Sequence, residues 1–265
     1  MTTSVEPTPT PPEPSHAVES AIELTEISVR FEIPTERILS FKEYVLRRIT
    51  SRIERQVLWA LRDVDVNVRS GEVLGIIGRN GAGKSTLLKV VSRVLQPTAG
   101  RVVIRGDLAP LLELGAGFHF DLTGRENVYL NAALLGHLRK DVDERLDLAV
   151  EFSGLHNFFD VPIRNYSTGM LARLGFAVAT MFRPDILLID EILAVGDAAF
   201  QEKCLHRIEE FRSRGTTILL VSHQYGEIAQ HCDRALWLDQ GRVAAIGDTQ
   251  DVLDRYTAAL SADQI

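Results

Sequence analysis

Apolar residues along this chain keep one of two rhythms, a period of two or a helical period, and the way these alternate gives a first outline of the architecture. Ile22, Leu24, Ile27, Val29 and Phe31 keep an imperfect two-residue rhythm up to Pro34, which predicts a strand. Leu61, Val64, Val66 and Val68 alternate with Arg62, Asp63, Asp65, Asn67 and Arg69, a half-buried strand turned at Ser70-Gly71. Val73, Leu74, Ile76 and Ile77 then form an apolar run, and Leu87, Leu88, Val90, Val91 and Val94 follow at helical spacing. Val102 to Ile104 make a short strand that ends at Gly106-Asp107. From Gly115 the texture becomes helical: one helix opens at Gly124-Arg125-Glu126-Asn127 and a second runs from Val142 to Leu155. Strands return at Ile186–Ile189 and Ile218–Val221, with helices at about Asp197–Arg214 and Tyr225–His231. A hairpin turns at Gln240-Gly241, and an amphipathic helix runs from about Gln250 to Leu260. Strands alternating with helices in both halves predict an α/β domain with a mainly parallel sheet, interrupted by a helical subdomain at residues 115–180.

Two segments depart from this alternation. Residues 1–20 hold Pro7, Pro9, Pro11, Pro12 and Pro14, half of the ten prolines, among Thr, Ser and Glu, and are expected to be a disordered tail ahead of a domain at 21–265. Residues 36–56 read as an amphipathic basic helical insertion. Ile38, Phe41, Tyr44, Val45, Ile49 and Ile53 gather on one side, against Lys42, Arg47, Arg48, Arg52 and Arg55. Such a helix either packs its stripe on its own domain or meets a membrane surface or partner subunit.

Composition narrows the function classes. A net charge of −7 argues against a nucleic-acid footprint on the domain as a whole. Cys204 and Cys232 are the sole cysteines, which offers neither a disulfide framework nor metal-ligand spacing and suits reduced thiols in the cytosol. No run approaches the ~18 apolar residues of a membrane span, and the N-terminus lacks a basic segment followed by an apolar one. Work at a membrane therefore needs a span supplied by another chain.

The chemistry centres on Gly78-Arg79-Asn80-Gly81-Ala82-Gly83-Lys84-Ser85-Thr86, an ungapped G-x-x-x-x-G-K-[ST] between a strand pattern and a helix pattern. Glycines let backbone N–H groups turn inward onto phosphate oxygens, and the helix N-terminus adds its positive dipole end. Lys84 is placed to reach the β- and γ-phosphates and Ser85 to ligate Mg²⁺. Ile186-Leu187-Leu188-Ile189-Asp190-Glu191 puts two acids at the C-terminal end of a strand apolar enough to be central. Asp190 is suited to holding Mg²⁺ and Glu191 to polarising the water that attacks the γ-phosphate. Ser167-Thr168-Gly169-Met170 opens an apolar helix, either as a plain cap or as a second phosphate-binding N-terminus facing another nucleotide.

In this order the pieces resemble the ATP-binding subunit of ABC transporters over nearly the whole chain after Ile22. The resemblance implies a P-loop NTPase of the ABC ATPase type, a RecA-like mainly parallel sheet core with an N-terminal antiparallel β part and a helical insertion. It implies ATP hydrolysis with ATP and Mg²⁺, and a head-to-tail dimer in which Ser167, Thr168, Gly169 and Met170 close on the other copy's ATP. Asp197 then resembles the acid of the loop that couples the two sites, and His223, at the end of Leu220-Val221-Ser222, the histidine that senses the γ-phosphate. Phe31 aligns with the aromatic on which adenine stacks, with Trp59 a second choice. Two departures stand out. Tyr166 and Thr168 occupy positions where Leu and Gly are commonest, and Leu114, with Glu113 beside it, replaces the glutamine that bridges Mg²⁺ to the membrane subunit. With the insertion after Phe31 and the stretch Leu122-Thr123-Gly124-Arg125-Glu126-Asn127, these features resemble the subgroup that exports O-antigen, capsule, teichoic acid and galactan. That subgroup implies an integral membrane partner, a lipid-linked polysaccharide handled through it, and a place at the cytoplasmic face of the membrane. An importer subunit shares every catalytic residue, and a soluble ABC-type ATPase is a further alternative.

Overall fold

The computed structural model describes residues 19–34, 55–112, 115, 117–190 and 196–262. Most of the expected tail and of the basic helical segment, together with Glu113, Leu114 and Glu191, lies outside them. Two boundaries move. Ser20 opens the first strand, β1 (Ser20–Pro34), and Arg55 and Gln56 open the second, β2 (Arg55–Arg69), rather than ending a helix. Antiparallel pairing draws these ends in, with Ile33 opposite Gln56 and Pro34 opposite Arg55.

β1 lies between β2 and β4 (Ala99–Ile104) in a three-stranded antiparallel sheet. Its imperfect two-residue rhythm has a structural cause: the register shifts between Leu24 and Ile27, where Glu26 has a φ of +52°. The extra residue at this bulge returns the next apolar side chains to the buried face.

The second sheet has the order β5-β6-β7-β3-β8-β9, with β3 (Val73–Ile77), β5 (Leu108–Leu111), β6 (Ile186–Asp190), β7 (Thr217–Val221) and β8 (Arg234–Asp239) parallel and β9 (Arg242–Asp248) antiparallel to β8. All five residues of β3 and of β7 are buried, as expected for strands covered on both faces. Leu74 and Ile76 face a core shared with β1, β2 and helix α1 (Lys84–Val91). Val73 and Ile77 face the opposite core, with Phe200 and Phe211 of a later helix. The edge strand β5 was not anticipated, because Leu108-Ala109-Pro110-Leu111 is short and carries a proline. At a sheet edge the missing N–H costs little.

The helical part comprises α2 (Gly124–Leu134), α3 (Arg139–Asp143), α4 (Leu146–Ser153) and α5 (Thr168–Ala179) around Val128, Val142, Leu146, Phe159, Ile163 and Leu174. The single helix expected over Val142–Leu155 is thus two. Arg145, the N-cap of α4, has a φ of −119°, well off the about −63° of a regular helix, and lays its guanidinium over the Phe182 ring. The buried positions Val142, Leu146 and Ala149 keep helical spacing across this break, so the sequence reads as continuous. Past β6 come α6 (Ala198–Ser213), α7 (Tyr225–His231) and α8 (Thr249–Ala262). Among the described residues no helix is long and apolar enough to cross a membrane.

Candidate functional site

Because β6, β7 and β3 are parallel neighbours, their C-terminal ends open on one edge of the sheet, where ligands collect in open α/β sheets. The loop after β3, Asp190 at the end of β6, and His223 two residues past β7 meet there. They line a cleft of about 620 Å³.

The loop is held rigid before any ligand arrives. Gly83 has a φ of +107°, and a Cβ there would lie 2.6 Å from the Ala60 carbonyl oxygen of β2. Gly83 is thus doubly required, by its left-handed backbone and by the closeness of the strand behind it. Gly241, in the β8–β9 turn, donates its N–H to Ala82 and accepts from Arg62, tying the loop to both sheets at 2.9 and 2.7 Å. Lys84 is 7% exposed, and its ammonium donates to the carbonyl oxygens of Gly78 at 2.8 Å and Arg79 at 3.2 Å. These bonds fold it back across its own loop and hold a positive charge at the cleft floor. No side chain caps the N-terminus of α1, so its first N–H groups face the cleft.

Asn80, Gly81, Gly83, Lys84, Ser85 and Thr86 line the cleft, whereas Gly78, Arg79 and Ala82 shape the loop behind it. Ser85 and Asp190 bring a hydroxyl and a carboxylate to the same space, hard oxygen donors suited to Mg²⁺. Ser222 sets the turn that presents His223: its hydroxyl donates to Glu227 at 2.8 Å and accepts the Gln224 N–H at 3.0 Å. Phe31, 40% exposed, and Trp59 lie on paired strands, and both border the cleft. Trp59 also carries the Arg62 guanidinium 5.2 Å above its ring.

The remaining residues collect elsewhere. Ser167, Gly169, Met170 and Asp197 line a separate cleft of about 420 Å³ that shares no lining residue with the first. Thr168 begins α5 without lining it. Ser167 is the N-cap of α5, accepting from the Met170 N–H at 3.2 Å, so capping does occur here. Asp197 caps α6 through the Phe200 N–H at 2.9 Å. That bond, joined by the Arg173 charge and hydrogen bond, holds the Asp197 carboxyl below its ordinary range.

Arg173, on α5, was missed by sequence reasoning. Its guanidinium donates to Asp197 and stacks 5.0 Å from the Phe200 ring, joining the helix after Ser167 to the start of α6. Its position six residues past Ser167 carries no local signal, because its partner is 24 residues away.

Tyr166 packs in the helical core, where burial pushes its hydroxyl up to about 12 and it donates to the Phe158 carbonyl at 2.7 Å. A Cβ on Gly124 would sit 2.5 Å from that hydroxyl, so the larger residue before Ser167 requires glycine in Leu122-Thr123-Gly124. Asn127, fully buried, stitches the same stretch together through His119, Leu122 and Thr123.

The family model described as ABC transporter matches residues 61–194. An O-antigen export system ATP-binding protein of Klebsiella pneumoniae is 51% identical over 76% of this chain and 82% of its own length. A teichoic acids export ATP-binding protein of Listeria innocua is 42% identical over 76% of this chain and 60% of its own length. Among solved structures, an ATP-binding subunit of an ABC transporter superposes with a TM-score of 0.70 at 24% identity, over 89% of this chain and 93% of that one. A dimeric ATP-binding cassette bound to ADP and Pi superposes with a TM-score of 0.68 at 20% identity, over 86% of this chain and 98% of that one. The loop around Lys84, the acid closing β6 and the sequence kinship therefore agree, and the chain belongs to the ABC transporter family.

Proposed function

We propose that this chain is the ATP-hydrolysing subunit of a transporter that exports a lipid-linked polysaccharide across the cytoplasmic membrane. The observation that carries the hydrolytic part is the convergence of Lys84, Ser85, Asp190 and His223, from three separate elements, on one cleft. Lys84 and the uncapped N-terminus of α1 bind the phosphates. Ser85 and Asp190 would hold Mg²⁺, which when bound neutralises charge building on the phosphate oxygens. His223, which lines the same cleft, would donate to the γ-phosphate. Glu191, next to Asp190 in sequence but outside the described residues, orients and polarises the attacking water.

The second cleft gives the dimer its rationale. Ser167, Gly169 and Asp197 line no part of their own chain's phosphate cleft, and two copies placed head to tail would seat each Ser167–Met170 segment on the other's ATP. Of the two alternatives open in sequence, capping and phosphate recognition, the same N-terminus then serves both. Export of polysaccharide, rather than import, is supported by kinship to O-antigen and teichoic acid exporters, and it requires an integral membrane partner at the cytoplasmic face.

The test is Glu191→Gln. It should bind ATP like the parent while lowering turnover by about 10²–10⁴-fold, and cells depending on it should retain the lipid-linked glycan inside. Hydrolysis near the parent rate would remove Glu191 from its role. Normal hydrolysis by the parent protein, together with unaffected export in a strain lacking it, would remove the transport assignment.

A further inference from the structure

Away from both clefts, a third groove of about 210 Å³ runs between α4, the C-terminal end of α5, and α6. Its rim carries Arg145, Arg183, Arg207 and Arg214, against one carboxylate, Glu210, among the described residues lining it. This is an unusual concentration in a chain of net charge −7. Glu210 is shared between two of these groups, at 2.8 Å from Arg214 and 3.5 Å from Arg207. Two further contacts use one donor each: Arg183 to the Arg214 carbonyl at 2.6 Å, and Arg207 to the Thr180 carbonyl at 3.2 Å. A guanidinium has five N–H donors, so most of this donor capacity stays available to the groove.

The guanidiniums are also held in position. Arg207 stacks 4.9 Å from the Phe152 ring and Arg145 5.1 Å from the Phe182 ring, which fixes their planes and reduces the entropy lost on binding. Phe152 packs against both the helical-part core and the core under α6, so the groove lies along the joint between them. We propose that this groove is a binding site for a phosphate-bearing anion, a diphosphate or phosphate monoester, whose charge the planar donors of Arg145, Arg207 and Arg214 match in forked hydrogen bonds. With ligands from α4 on one wall and α6 on the other, the bound anion braces the helical part against the sheet core. The site is independent of the nucleotide cleft, with which it shares no lining residue.

The phosphate can come from a soluble molecule or a lipid headgroup, and two arms of one experiment distinguish them. The first is calorimetric titration of the full chain with inorganic pyrophosphate, in the parent, in Lys84→Ala, and in Arg145→Gln/Arg214→Gln. The second is co-sedimentation of the same proteins with phosphatidylcholine vesicles with or without phosphatidic acid. Both arginines are exposed, and thermal melting checks that the double variant is folded; the single Arg145→Gln gives a milder second test. Pyrophosphate binding that survives in Lys84→Ala and weakens at least about tenfold in the double variant supports the site with a soluble ligand. Arginine-dependent binding to phosphatidic acid vesicles alone supports it with a lipid headgroup. No binding in either arm, binding insensitive to the arginines, or binding lost with Lys84→Ala overturns the proposal.

Discussion

The cleft around Lys84 and the cleft around Ser167 are built in opposite ways. The first takes walls from β2, β6, the turn after β7 and the loop after β3, and it is set by backbone that only glycine tolerates. Its helix N-terminus is uncapped and its lysine is folded over the floor, so it is preorganised for phosphate within one chain. The second is formed by the starts of α5 and α6, both capped by their own side chains, Ser167 and Asp197, and bridged by Arg173. The difference teaches where each cleft gets its precision: tertiary burial and glycine geometry in one, a surface network of caps and a single ion pair in the other.

That contrast predicts unequal sensitivity. Gly83→Ala should be the most damaging of the structural changes. It combines a φ of +107° with a Cβ 2.6 Å from a carbonyl oxygen, and backbone strain of this kind costs about 1–3 kcal/mol. Nucleotide titration should show ATP affinity falling by about tenfold or more. Arg173→Ala should leave single-chain ATP binding unchanged, because Arg173 does not border that cleft, yet lower turnover by roughly tenfold by freeing Asp197. Arg173→Lys should recover part of the loss; equal losses of binding and turnover would show that the two clefts are not separate. Thr123→Ala, which removes the capping box formed with Glu126 on α2, should have the smallest effect, about 1 kcal/mol in a denaturation curve with ATP affinity unaltered.

The same contrast explains what could be read in advance. The phosphate loop was legible because its chemistry is contiguous: glycines, lysine and serine lie between a strand and a helix whose apolar rhythms are themselves local. The outlines of the sheet were legible for the same reason, down to α7 at Tyr225–His231. What escaped depends on neighbours far along the chain. β5 is a strand because β6 pairs with it, in spite of Pro110. Arg145, at the break, packs on Phe182, and the bond of Arg173 answers to Asp197. On spacing alone Ser167 reads as a cap, which the structure contains; the phosphate role was implied by family resemblance, since its proposed partner is a second copy.

The central claim is that the loop at Gly78–Thr86 is half of a site, completed by Ser167–Gly169 of another copy. Its most direct test is sedimentation of Glu191→Gln with ATP, compared with Glu191→Gln/Gly169→Asp. A Cβ on Gly169 meets only the Ser167 hydroxyl oxygen, at 3.9 Å, so a side chain starts there without a clash in its own chain, and the added carboxylate is expected to repel phosphate across a dimer. The account predicts an ATP-dependent dimer for Glu191→Gln, and a monomer that still binds ATP when Gly169→Asp is added. A dimer that forms equally well without ATP, or that persists with Asp at position 169, would contradict it.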